Sequence, residues 1–124
     1  MGLKHHHLIV QAKVGNEEIE QDSEVLLRKF LVDLVGLLDM EVLIEPQLKF
    51  SHQKAWTGLI GIVTSHISFH FWTVEKLLQL DIYSCKEFDK EKALRFIKDF
   101  WKTSDEKILF IDRESGKEFE IKKL

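Results

Sequence analysis

Thr57-Gly58-Leu59-Ile60-Gly61-Ile62-Val63-Thr64-Ser65-His66-Ile67-Ser68-Phe69-His70-Phe71-Trp72 sets two extended segments back to back. The first, Thr57 to Val63, is a run of small and β-branched residues of the kind found in buried strands. The second, His66 to Trp72, alternates: Ile67, Phe69 and Phe71 fall on one face and His66, Ser68, His70 and Trp72 on the other. A third strand is expected over Leu77 to Ser84.

Helices flank this block. Leu27, Leu31, Leu34 and Leu38 recur at three- and four-residue spacing beside Phe30 and Leu37, which predicts an amphipathic helix near 23–39 capped by Asp22 or Ser23. Ala93, Phe96, Ile97, Phe100 and Trp101 form the stripe of a second helix near 89–102, with Asp89 able to cap it. Upstream, Leu8 to Val14 reads as a strand. Met40 to Phe50 reads as extended, and Pro46 cannot donate to a ladder, so that strand belongs at a sheet edge or is bulged there. Ile108 to Ile111 and Phe119 to Ile121 flank Arg113-Glu114-Ser115-Gly116, a turn in which Gly116 is free to take positive φ. Adjacent strands between two helices predict an α+β fold. Its expected form is a two-layer sandwich, with two helices packed on one face of a mainly antiparallel sheet of six or more strands. Residues 1–124 read as a single domain, without repeat or linker.

Composition narrows the class. Hydrophobic residues make up 44% of the 124 residues and charged ones 31%, enough for a core and against disorder. Net charge is −3 with lysine and arginine dispersed, so no basic stripe offers itself to nucleic acid. The charged stretch Lys117 to Lys123 reads as a solvated terminal strand. One cysteine, Cys85, precludes an internal disulfide. No apolar run approaches the roughly 20 residues of a membrane span, and 1–7 lacks an apolar signal core. A cytoplasmic location is the expectation. His5 to His7 read as a strand beginning or a tag remnant, and no metal site is expected. A sheet open on its second face tends to bury that face against a copy, so a homodimer is expected, and so small a domain makes a site at the dimer interface plausible.

Thr64, Ser65, His66, Ser68, His70, Asp81 and Cys85 crowd the most apolar stretch of the chain, Thr57 to Cys85. Such a set supplies a nucleophile, a base and an acid, and equally could be structural polar groups with satisfied partners.

Thr64-Ser65-His66-Ile67-Ser68-Phe69-His70-Phe71-Trp72, followed by Asp81-Ile82-Tyr83-Ser84-Cys85, resembles the signature of the small prokaryotic pyruvoyl-dependent S-adenosylmethionine decarboxylases. Weaker similarity runs from about His7 to Trp101. The resemblance implies a precursor that cuts itself between Thr64 and Ser65: the Ser65 hydroxyl attacks the Thr64 carbonyl, the ester eliminates, and hydrolysis leaves a pyruvoyl group as the self-derived cofactor. That group would take up a small-molecule amine substrate and act as electron sink for decarboxylation, in polyamine (spermidine) biosynthesis. It implies His70 as proton acceptor in processing, Cys85 as proton donor to the substrate carbon, Thr57 as an assistant in processing and Phe50 as an aromatic that stacks on adenine. Strict alternation puts Ser65 and His70 on opposite faces, so they can cooperate only if the chain turns at Thr64-Ser65, and a strained turn is expected there.

Two positions depart from the family. The residue before the cleavage serine is usually glutamate and here is Thr64. The family's Trp-Pro-Glu reads Trp72-Thr73-Val74, so the glutamate expected to bind the ribose hydroxyls is absent; Glu75 is the neighbouring candidate for substrate binding, though one step along a strand faces the other way. These departures keep two alternatives open: a decarboxylase of another amine such as arginine or ornithine, and a non-catalytic, unprocessed relative that binds a ligand or regulates a partner.

Overall fold

The computed structural model describes residues 4–114 and 116–124. The element order is β1 (His6–Val14), α1 (Glu24–Leu37), β2 (Val42–Phe50), β3 (Ala55–Ile62), β4 (Ser65–Trp72), β5 (Leu77–Ser84), α2 (Lys90–Trp101), β6 (Thr103–Asp112) and β7 (Glu120–Lys123). Seven strands form one sheet in the order β2-β3-β4-β5-β1-β6-β7, every neighbouring pair antiparallel. The two helices cover one face, as the two-layer α+β reading expects.

Alternation of side chains across each strand builds that layer. Leu8, Val10 and Ala12 of β1, Ile60 and Ile62 of β3, Ile67, Phe69 and Phe71 of β4, and Leu78, Leu80 and Ile82 of β5 are all buried toward the helices. Leu27, Phe30, Leu31 and Leu34 of α1 and Ala93, Leu94, Ile97 and Trp101 of α2 meet them. The Trp101 ring is the hub, 5.3 Å from Phe69 and Phe71 and 5.5 Å from Phe30. Packing leaves no room for a side chain at Gly58, where a β-carbon would lie 2.5 Å from the Phe69 ring and 2.8 Å from Leu48.

Several expectations meet the structure in detail. β2 is an edge strand, and its register with β3 shifts between Ile44 and Gln47, around Pro46. Asp89 accepts from the Lys92 N–H at 3.1 Å and caps α2. Ser23 precedes α1 but does not cap it through its side chain: its Oγ accepts from the Glu20 N–H at 2.8 Å and donates to the Glu18 carbonyl, tying down the preceding loop instead. Gly116 takes φ +85°, while Ser115 of the same turn lies outside the described residues. His6 and His7 open β1. Thr57 to Val63 is not buried on both sides, because Leu59 and Val63 are exposed. The helix-free face also carries His66, Ser68 and His70, so these polar residues are solvent-accessible, unlike their apolar sequence neighbours. No helix among the described residues is long and apolar enough to cross a membrane.

Candidate active site

Two clusters gather the chemistry-bearing residues, at different places on the β3–β4 hairpin. The first sits at the hairpin turn. β3 ends at Ile62, β4 begins at its partner Ser65, and Val63 and Thr64 make the turn. Thr64 has φ +60°, a left-handed conformation that a β-branched side chain rarely tolerates, so the backbone directly before Ser65 is strained. Cys85 follows the end of β5, which lies beside β4, and its backbone N–H donates to Ser65 Oγ at 3.0 Å. Its Sγ lies 2.6 Å from Thr64 Oγ1. The hydrogen bond with Thr64, outweighing the effect of burial and joined by Ser65, pulls the Cys85 thiol below the usual thiol range. A cleft of about 430 Å³ opens here between Met40, Glu41, Val63 and Lys86. Ser65 also borders a groove along the helix-free face with Leu59, His66 and Ser68.

The second cluster is Thr57 and His70, directly opposed across the β3–β4 ladder. Thr57 Oγ1 and His70 Nδ1 are 3.0 Å apart on the helix-free face, with the Trp72 ring 5.8 Å from the imidazole. His70 stands five residues beyond Ser65 on an unbroken strand, roughly 16 Å along it, and on the opposite face. The strained turn at Thr64 therefore does not bring Ser65 and His70 together in one chain.

Phe50 and Glu75 are farther still from Ser65. Phe50 pairs with Trp56 at the opposite end of β3, its ring 5.4 Å from that indole. Val74 and Glu75 lie in the four-residue turn from Thr73 to Lys76, both exposed. Opposite-face alternation thus does not govern Glu75, whose carbonyl accepts from Lys13 Nζ at 3.4 Å. Phe50, Lys54, Thr73 and Lys76 border one shallow pocket at this end.

The sequence reading quoted Tyr83 in the signature but gave it no role. It sits on the helix-free face, its hydroxyl 2.5 Å from His5 Nδ1, its ring 5.3 Å from His66 and under the Arg113 guanidinium at 5.0 Å. It lies opposite His66 in the β4–β5 register, a pairing that no local pattern in the chain signals. No group of three or more His, Cys, Asp or Glu among the described residues is placed to hold a metal ion.

Residues 6–114 match the family model described as S-adenosylmethionine decarboxylase. A protein from Pyrococcus abyssi named S-adenosylmethionine decarboxylase proenzyme is 32% identical over 93 residues, 74% of this chain and 66% of that protein, so the chain spans slightly less than two thirds of that relative. A protein of the same name from Clostridium botulinum (strain Langeland) is 27% identical over 95 residues, covering 76% of this chain and 80% of the relative. The crystal structure of the adenosylmethionine decarboxylase from Aquifex aeolicus superposes with a TM-score of 0.71 at 21% identity, over 88% of each chain, which establishes the shared fold.

Proposed function

The chain belongs to the S-adenosylmethionine decarboxylase family, and from that premise we propose that it is a proenzyme that cuts itself between Thr64 and Ser65 to become a pyruvoyl-dependent decarboxylase of polyamine (spermidine) biosynthesis. The observation that carries this reading is the strained Thr64 next to a serine whose Oγ is anchored on the Cys85 amide. A residue held at φ +60° gains by relaxing when its following bond is cut.

Ser65 fits as the source of a pyruvoyl group. Its Oγ accepts a hydrogen bond from Cys85 N–H, leaving its own proton free to be removed. Oγ attacks the Thr64 carbonyl carbon; the Thr64–Ser65 C–N bond breaks as an ester forms, and the hydroxyl proton passes to the freed nitrogen. Loss of the Ser65 Cα proton then expels the Thr64 carboxylate from Cβ, and water replaces the nitrogen, which leaves as ammonia. The pyruvoyl group supplies an electron sink for carbon dioxide loss. Cys85, whose backbone N–H is bonded to Ser65 Oγ, is placed to give a proton to the substrate carbon.

His70 and Thr57 complete the site from a second copy. One chain holds them on the helix-free face, roughly 16 Å along β4 from Ser65, so proton transfer from the Ser65 position needs another subunit's pair. That face also exposes Ile44 and Leu59 and carries Trp72, an apolar area suited to burial against a copy. Phe50 and Glu75 share the distal end with Thr57 and His70 and would reach substrate from the same second copy.

One observation favours a different substrate. Val74, 68% exposed, offers no acceptor where the family places its ribose-binding glutamate. A smaller amine, arginine or ornithine in type, would not need that acceptor.

Intact-mass spectrometry of the purified chain tests the proposal. Pieces of 64 and 60 residues are expected, the second blocked at its amino end, and Ser65→Ala should remain whole. A single full-length mass after prolonged warm incubation would sink the enzyme reading and leave an unprocessed, ligand-binding relative.

A further inference from the structure

We propose that Thr64 is a positioning residue for Cys85: its hydroxyl tethers the sulfur to the cleavage turn, so that cutting the Thr64–Ser65 bond also frees the thiol. The inference rests on the cleavage reading and adds a coupling between processing and the state of Cys85.

The argument starts from a proton count. Thr64 Oγ1 has one proton and two acceptors in reach, the Val63 carbonyl at 2.7 Å and Cys85 Sγ at 2.6 Å. With the thiol protonated, S–H donates to Oγ1 while the hydroxyl donates to Val63. With the thiolate, the hydroxyl turns to the sulfur, because an ionised acceptor outcompetes a neutral carbonyl. A hydroxyl that serves both states holds the sulfur in place throughout and favours the thiolate. That same hydrogen bond is the leading cause of the pull of the Cys85 thiol to below its usual range.

Backbone strain supplies the release. Thr64 is held at φ +60° by its place in the β3–β4 turn, between Ile62 and Ser65 that pair with each other. Once its bond to Ser65 is cut, Thr64 becomes a chain end. Nothing then forces a β-branched residue to stay left-handed, and its hydroxyl leaves with it. The glutamate usual at this position in the family has no β-hydroxyl, so the tether is a property of this sequence.

The test uses the full chain carrying Ser65→Ala, which keeps the bond intact. Cys85 is the only cysteine, so iodoacetamide capture across a range of pH reports on it alone. Thr64→Val and Thr64→Gly, the second free of left-handed strain, should raise the pH midpoint and slow capture at neutral pH roughly threefold or more. Thr64→Ser should keep the parent midpoint. Unchanged midpoints in a folded Val or Gly variant, or a Ser variant behaving like Val, would overturn the tether. A reading with Thr64 itself in place is the infrared S–H stretch at low pH; a free-thiol frequency overturns the proposal and a lowered one supports it. None of these measurements needs cleavage. Failure of the chain with Ser65 in place to cut defeats the enzyme reading alone, and unshifted midpoints in the Ser65→Ala background defeat the tether alone.

Discussion

Thr57 Oγ1 and His70 Nδ1 lie 3.0 Å apart on the helix-free face of the sheet, while Ser65 begins the same strand as His70 on the other face. The pairing follows from antiparallel register, in which Thr57 of β3 opposes His70 of β4. A histidine held by a hydroxyl, roughly 16 Å along a strand from Ser65, would be half of the proposed site.

If the other half comes from a second copy, cleavage should show complementation. A Ser65→Ala chain and a His70→Ala chain, each alone, should stay whole or cut slowly. Co-expressed, the His70→Ala chain should be cut, because its Ser65 is served by the other chain's His70. Mass spectrometry on the mixed preparation reads this directly, and a mixture no better than the separate chains would refute the shared site. Light scattering should give a dimer mass at micromolar concentration.

Val74 sits exposed in the β4–β5 turn, where no packing constrains its identity. Val74→Glu should leave the melting temperature nearly unchanged and tighten binding of S-adenosylmethionine roughly tenfold, the scale of one good charge-assisted hydrogen bond. Calorimetry on both proteins decides; equal affinities would show that Val74 does not limit binding.

His6 is buried with its ring edge-on to Phe110 at 5.0 Å and to Phe88 at 6.3 Å, and its Nδ1 has no hydrogen-bond partner among the described residues. Burial pushes its imidazole below the usual histidine range, against the opposing pull of Asp112 and Glu87 and with help from Lys4 and Lys90. The unfolded chain therefore takes up a proton at this position before the folded one does. Stability from this group is intact above the ordinary histidine range and is lost as pH falls through it. The urea midpoint should drop between neutral pH and pH about 5, where an ordinary histidine is charged, and His6→Phe should drop less. Parallel losses in both proteins would rule out His6 as the cause.

Gly58 faces the helices between Leu48 and Phe69. Gly58→Ala would drive a methyl group into the Phe69 ring and should cost about 1–3 kcal/mol in urea unfolding. The neighbouring Thr57 points the other way, so Thr57→Val should leave stability nearly unchanged while slowing processing. A neutral Gly58→Ala would mean that the Phe69 ring can swing aside.

What could be read locally was legible in the chain. Leucines at three- and four-residue spacing mark α1, alternation in Ile67, Phe69 and Phe71 marks the buried face of β4, and Pro46 marks an edge, because each pattern depends only on the period of one element. The apolar character of Thr57 to Cys85 was misleading for the same reason. Thr57, His66, Ser68 and His70 share sequence with the core but not a face, and an apolar stretch does not by itself tell which side stays open.

The composition of the clusters came only from the tertiary structure. Cys85 meets Thr64 because β5 lies beside β4 and ends next to the point where β4 begins. Those two residues are 21 positions apart, and no local pattern encodes their contact. The unbroken run of β4 keeps Ser65 and His70 apart, as alternation already implied, and the turn from Thr73 to Lys76 takes Glu75 off the strand. The chain by itself determined which side chains can do chemistry and which elements carry them, since composition and periodicity are local. Strand order and the left-handed turn at Thr64 decided which of them meet, since those depend on pairing and closure across the whole sheet.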